Sequence, residues 1–371
     1  MTEAGRLRKR PAVVAALTLL LALPLSPLVA LAQSWDDVVK AAKAEGEVDV
    51  HGGPGKLYED VLTGGFSKAY PGIDLVFVGT SGRDVILQIE REREAGIYKW
   101  DVYVGGTSST LETLKPAGAF APLRPALILP EVIDDKAWRY GFDAGWIDKE
   151  KTFIFSFDYT MSPLAMVNWG VVSHDDLKSF ADLAKPQFAG KIVWDDPRLP
   201  GQGSLTGQEL LKNEGADFVE RLFAQQKIAF TANRRQEAEW IVRGQYPIGV
   251  AAPVDEIARY QAQGIGQDVK PFNGEIQKLS GDTGFGTVAL MDKAPHPNAA
   301  KVYINWLLSK AGQTDWRKTE RNSRRLDVPP GAPSEVPPPG MPYSNLQAED
   351  QIPIRDQFAA IAKKHIPVTA Q

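Results

Sequence analysis

The chain of 371 residues contains no cysteine. It can therefore form no disulfide, carry no lipid on an amino-terminal cysteine, and use no thiolate as nucleophile or metal ligand. Histidine is scarce, with His51, His174, His296 and His365 alone, and no two stand at the His-x-x-x-His spacing of a helical metal site. Gly201-Gln-Gly-Ser-Leu205 lacks the second glycine of a nucleophile elbow and the lysine of a phosphate-binding loop. An excess of positive charge is missing too. The 42 basic side chains are outnumbered by 46 acidic ones, a formal charge of −4, which argues against nucleic acid or an anionic membrane surface as partner. No repeat marks a solenoid. From these absences we expect no catalytic residue, no metal ligand and no cofactor, although a hydrolase built on two carboxylates is not excluded by residue type.

What is present starts with a basic segment, Arg6, Arg8, Lys9 and Arg10, followed by the apolar run Ala12 to Leu25 and the small-x-small triplet Ala30-Leu31-Ala32. This is the pattern of a secretory signal peptide cleaved after Ala32. A permanent anchor is the alternative, but the run is short for a span of about 20 residues and ends in Pro24 and Pro27. Removal of residues 1–32 brings the formal charge to about −7. A freely soluble product without a lipidated cysteine would be retained only by an outer membrane, so the expected location is the periplasm and the expected state a monomer. Residues 33–371 exceed what one core usually serves, and two lobes are expected.

Along that stretch, strands, small polar loops and helices alternate. Glu47 to Val50 reads as a strand, His51 to Gly55 as a loop and Leu57 to Tyr70 as a helix. Ile73 to Val78, Gly79 to Asp84 and Val85 to Ala95 repeat the order. Trp100 to Val104 then leads into Gly105-Gly-Thr-Ser-Ser-Thr110. Such alternation implies an α/β sandwich with a largely parallel sheet and ligands outside the carboxyl ends of its strands. Thr152 to Val172 reads as strands crossing to a second lobe, where Lys191 to Trp194 and Pro247 to Ala251 are strands, Asp195 to Gly207 a loop and Gln208 to Gln225 a helix. Gly284 to Met291 returns to the first lobe. Asn298 onward is a helix, with Ala300, Tyr303, Ile304, Leu307 and Leu308 on one face and Gly312 as its stop. Val328 to Met341, with six prolines, is an extended strap before a short helix near Ile354 to Lys364.

His296-Pro-Asn-Ala-Ala-Lys-Val-Tyr-Ile-Asn-Trp-Leu-Leu-Ser-Lys-Ala-Gly-Gln313 resembles the signature segment of the extracellular solute-binding proteins that serve ATP-driven importers. Trp35 to Gly46, Ala69-Tyr-Pro-Gly-Ile73, Trp100-Asp-Val102, Leu164-Ala-Met-Val-Asn168 and Ser323-Arg-Arg325 with Asp327-Val328 extend the resemblance, in order, to the branch that includes ferric-ion carriers. It implies a two-lobed type II periplasmic-binding-protein fold, α/β, each lobe a mostly parallel sheet flanked by helices, joined by a two-crossing hinge. The domains are then residues 33–160 and 284–327 for the first lobe, 161–283 for the second, and 328–371 for the strap and last helix. It also implies a small-molecule solute and an inner-membrane permease as partners, with closure about the hinge. Ferric carriers of this branch hold the ion through two adjacent tyrosines. Here the corresponding turn, Gly244-Gln-Tyr-Pro-Ile-Gly249, runs into Val250-Ala-Ala-Pro-Val-Asp-Glu256, and no adjacent tyrosines occur.

An anionic organic solute is therefore expected in the cleft. Gly53, Thr80, Ser81, Arg83, Thr107 and Ser108 lie in loops that open helices, where unpaired N–H groups and the dipole end favour an anion. On the second lobe Arg198, Ser204 and Asn233 are expected to do the same. Asp255 would meet a hydroxyl or ammonium, or cap a helix. Arg83 and Arg198 are expected to grip one anionic group from opposite sides. A ferric carrier and a binder that signals to a membrane receptor remain alternatives.

Overall fold

Crossing strands organise this protein. The computed structural model describes residues 1, 34–80, 82–107, 109–199, 201–272, 280–281, 286–337 and 345–366. The expected signal peptide and its cleavage point lie outside the described residues. Residues Trp35–Gln371 form one unit apart from Met1–Ser34.

The first lobe is a six-stranded sheet in the order Asp74–Gly79, Glu47–Gly52, Val102–Gly105, Thr287–Met291 and Phe120–Ala121, with Ile154–Ser156 also paired to Thr287–Met291. Glu47–Gly52 is parallel to both of its neighbours, and Thr287–Met291 is antiparallel to each of its own. Alternate residues feed opposite cores, as the two-residue period of a strand requires. Val102, Val104, Val288 and Leu290 join Val38, Phe66, Tyr303 and Leu307 under the helices Trp35–Glu45, Lys56–Ala69 and Pro297–Leu308. Tyr103, Ala289 and Met291 face the other way, onto Val85, Ile89 and Leu114 of the helical segments Gly82–Glu94 and Ser109–Leu114.

The second lobe repeats the scheme with five strands, Val269–Phe272, Ala165–Asn168, Ile248–Val250, Ile192–Asp195 and Ala229–Thr231. Only Ala165–Asn168 opposes the rest. In each lobe the reversed strand is the first one after the chain crosses over. A small third sheet, with Asp158–Thr160 between Ser280–Gly281 and Asn322–Ser323, gathers the crossing segments.

Several elements differ from the sequence expectation. The helix expected from Gln208 starts at Gln202, so Ser204 and Thr206 sit in helix and not in a loop. It ends at Glu214, and Gly215, at φ 85°, separates it from the helix Ala216–Gln225. Gly312 does not stop the signature helix. Pro297–Leu308 ends at Ser309, whose side chain accepts from the Gly312 N–H and caps a further helix, Lys310–Trp316. The last helix, Ile352–His365, docks on the second lobe, with Phe358, Ile361 and Ala362 in one core with Leu210 and Leu222. Gly207 faces Phe358 so closely that a Cβ there would overlap its ring. The final helix thus belongs to the core of the second lobe.

Candidate functional site

The three parallel strands of the first lobe end at loops that open helices, at Gly53, Thr80 and Gly106, as expected. The loop residues are largely committed to holding one another. The Thr80 hydroxyl lies 2.9 Å from His51 Nε2, and Thr107 is buried, its carbonyl accepting from the Thr110 hydroxyl. Gly53 is buried, its carbonyl packed where any Cβ on Gly79 would fall. Ser81 and Ser108 lie outside the described residues. Arg83 is in the helix Gly82–Glu94, and its side chain is likewise outside what is described.

His51 was not singled out for this site by its sequence context. It is buried, stacked on Tyr103 at 5.2 Å between ring centres and edge-on to Trp100. Burial lowers its pKa to about 4, so it is neutral at ordinary pH. An unfolded chain would bind a proton here at pH 6.5 while the folded one would not. His51 therefore costs stability as pH falls from about 6.5 towards 4.

A cavity of about 1360 Å³ is lined by Arg198 and Gln202 of the second lobe, by Glu112 and Arg321 of the first, and by Arg355 of the final helix. Of the sequence candidates it brings together Arg198, Ser204 and Asp255; Gly53, Thr80, Thr107 and Asn233 are not among its described lining. Arg198 does not present its fork to the cavity in the manner expected. Nε and Nη2 donate to the Asp196 carboxylate at 2.9 and 2.6 Å, and that hydrogen bond lowers the carboxyl pKa. Asn233 caps the helix Arg234–Val242 by accepting from the Gln236 N–H, which uses its oxygen structurally. Asp255 is ion-paired with Arg234 across two helix starts. It is neither a helix cap nor an unengaged acceptor.

Sequence reasoning missed the more telling groups. Gln202 and Gln208 line the cavity from the second lobe, and Gln208 Nε2 donates to Ser204 Oγ at 3.0 Å. Arg355 lines it from the final helix, with Nη1 2.8 Å from Glu112 of the first lobe. Arg355 Nη2, Gln202 Oε1 and Gln208 Oε1 are buried and have no hydrogen-bond partner. Buried polar atoms are nearly always satisfied, and here a donor and two acceptors on residues that line one cavity are without a partner. The Gln208–Ser204 spacing of four residues would have put both on one helix face had the helix start been recognised. For Arg355 the sequence offers no signal beyond an amphipathic helix.

Glu237, in the helix Arg234–Val242, is buried with Oε1 unpartnered. Burial, reinforced by Asp195, raises its pKa to about 9, so it is protonated at neutral pH. Asp195 is itself raised by burial, and its carboxylate accepts from the Gly203 N–H at 3.0 Å.

Comparison with known proteins fits this geometry. The family model for bacterial extracellular solute-binding protein matches residues 47–319. A comparison with curated proteins finds no match. Among solved structures, the Trichodesmium protein IdiA (FutA), in complex with iron and citrate, is 17% identical with a TM-score of 0.62, covering 86% of this chain and 98% of its own. The Bordetella ferric binding protein is 18% identical with a TM-score of 0.63 and the same coverages. AfuA from Actinobacillus pleuropneumoniae, with exogenous fructose-6-phosphate bound, is 18% identical with a TM-score of 0.53, again covering 86% and 98%. These likenesses carry the two-lobed type II binding-protein architecture, and the family match covers most of the chain. This chain belongs to the bacterial extracellular solute-binding proteins.

Proposed function

We propose that the protein captures a small, polar, anionic organic solute between its lobes and delivers it to an inner-membrane permease of an ATP-driven importer, with no chemistry of its own. It would work in the periplasm as a monomer, after cleavage at Ala32, with residues 161–283 closing on residues 33–160 and 284–327. The observation that supports this reading is a trio of buried, unpartnered polar atoms on residues that line the cavity. A guanidinium N–H calls for a carboxylate or phosphate oxygen, and two amide oxygens call for hydroxyl donors. The ferric alternative lacks a comparable anchor. No tyrosine is among the described residues lining the cavity, and by the family resemblance Ala251-Ala-Pro-Val254 occupies the region where the ferric carriers have their tyrosine pair. The same fold holds fructose-6-phosphate in AfuA, a ligand with both kinds of group.

Thermal unfolding across a panel of organic acids, phosphorylated sugars, polyols and Fe³⁺ is the test. A ligand at 100 times its dissociation constant adds about 2.7 kcal/mol of stability. With that ligand, Arg355→Ala should weaken binding by about 1.5–3 kcal/mol, roughly tenfold to hundredfold, while Asn233→Ala should not. Stabilisation by Fe³⁺ alone, or binding unchanged in Arg355→Ala, would sink the proposal.

A further inference from the structure

A second cluster of chemical groups lies at the opposite end of the first-lobe sheet, about 16 Å along the strand from the loops that open its helices. Glu47 and Asp49, two residues apart and so on one face of the strand Glu47–Gly52, meet His296 at the start of the helix Pro297–Leu308. One ligand atom from each of the three lies within 4.8 Å of the other two. Asp49 is only 7% exposed, yet its carboxylate accepts no hydrogen bond from any described residue. No hydrogen bond or ion pair joins His296 to Glu47 or Asp49.

The surroundings hold these groups in place. Asp101 is fully buried and accepts from the Asp49 N–H at 2.8 Å and from the His296 N–H at 2.7 Å. The Asp101 carboxylate also takes the His296 ring nitrogen Nδ1 at 2.8 Å, which leaves Nε2 as the imidazole's second nitrogen. A carboxylate that fixes one nitrogen of a histidine while the other binds a metal is the usual outer-shell arrangement of such ligands. Bonds of about 2.0–2.2 Å to one ion put two ligand atoms roughly 3–4 Å apart, so a modest rotation of half-buried Glu47 and of His296 would close the triangle.

We propose that Glu47, Asp49 and His296 bind one divalent transition-metal cation of the zinc type, with Asp101 orienting the imidazole. The donor set of one imidazole and two carboxylates suits Zn²⁺ and its first-row neighbours better than the all-oxygen preference of Ca²⁺ or Mg²⁺. The ion ties the first strand of the lobe to the helix that follows the return crossing, a structural role separate from the solute cleft. The sequence expected no metal because the imidazole is 247 residues from Asp49 and outside any ligand-spacing pattern.

The test is calorimetric titration of the EDTA-treated mature protein with Zn²⁺, repeated with Co²⁺ and visible absorption. One ion per chain should bind, with a rise in the thermal midpoint. Glu47→Gln and Asp49→Asn should each weaken binding at least tenfold, whereas the cleft variant Arg355→Ala should bind as the parent does. Glu47 is only partly buried at the start of its strand, so if Asp49→Asn fails to fold, Glu47→Gln decides. The proposal is overturned by absence of saturable binding in the parent, by parental affinity in Glu47→Gln, or by loss of binding in Arg355→Ala. None of these outcomes bears on solute capture in the cleft.

Discussion

At the scale of single residues, charge and burial conflict sharply at Glu237. Glu237 holds a proton to about pH 9, whereas in an unfolded chain its carboxyl ionises near 4.5. The folded state therefore binds more protons across that interval, and its stability falls as pH rises from about 4.5 to 9. Glu237→Gln should flatten that slope between pH 5 and 8. Urea unfolding at several pH values checks this, and an unchanged slope would mean that Glu237 is ionised in the native state. The residue scale is also where the sequence said least about function. Arg198 has the right residue type in the right loop, but an aspartate two positions earlier takes its fork. Arg324 and Arg325, part of the carboxy-terminal pattern of the family resemblance, are buried and donate to carbonyls of Ser156, Arg139 and Glu131 and to the Asp327 carboxylate, so they hold backbone in place. Which partner a guanidinium finds depends on three-dimensional neighbours that no local spacing encodes.

At the scale of elements, most strands and helices were legible because their apolar periods are regular and their ends are marked by glycine, proline or a cap. Glu47–Gly52, Lys56–Ala69 and Asp74–Gly79 lie within a residue or two of where periodicity put them. The helix starting at Gln202 was missed because its first turn, Gln202-Gly-Ser-Leu-Thr-Gly207, is rich in residues that elsewhere make turns. Tertiary contact overrides that preference. Gly203 lies where any Cβ would meet the Asp195 backbone, and Gly207 leaves room for Phe358. The final helix is correspondingly dependent on its anchor. Phe358→Ala should cost about 3–5 kcal/mol of stability by denaturant unfolding, the range for removing a buried phenyl ring. A loss below 1 kcal/mol would mean that Ile352–His365 is not docked on Leu210 and Leu222.

At the scale of the whole molecule, the two-lobed architecture followed from alternation and from two recognisable returns, and it is present as two mixed sheets with one reversed strand each. The contribution of the carboxy-terminal segment did not follow, because a proline-rich strap signals only that the chain is extended, not where its end docks. Glu349, before the final helix, pairs with Lys115 of the first lobe at 2.5 Å, and Arg355 pairs with Glu112. Removing residues 345–371 should expose the apolar socket of Phe358, lower the thermal midpoint, increase dye binding to apolar surface, and abolish solute binding. Retained solute affinity in the truncated chain would show that this segment is dispensable to the cleft. Closure of both cores from distant parts of the chain has a temporal consequence. The first lobe needs residues from Trp35 to Trp316, and the second needs Leu164 to Ile366. A chain emerging from its amino end can complete neither lobe until most of these residues are free, and the second waits for the helix Ile352–His365. Such sequence-distant pairing slows folding and prolongs the unfolded state, the state in which a polypeptide can still be threaded through a narrow channel.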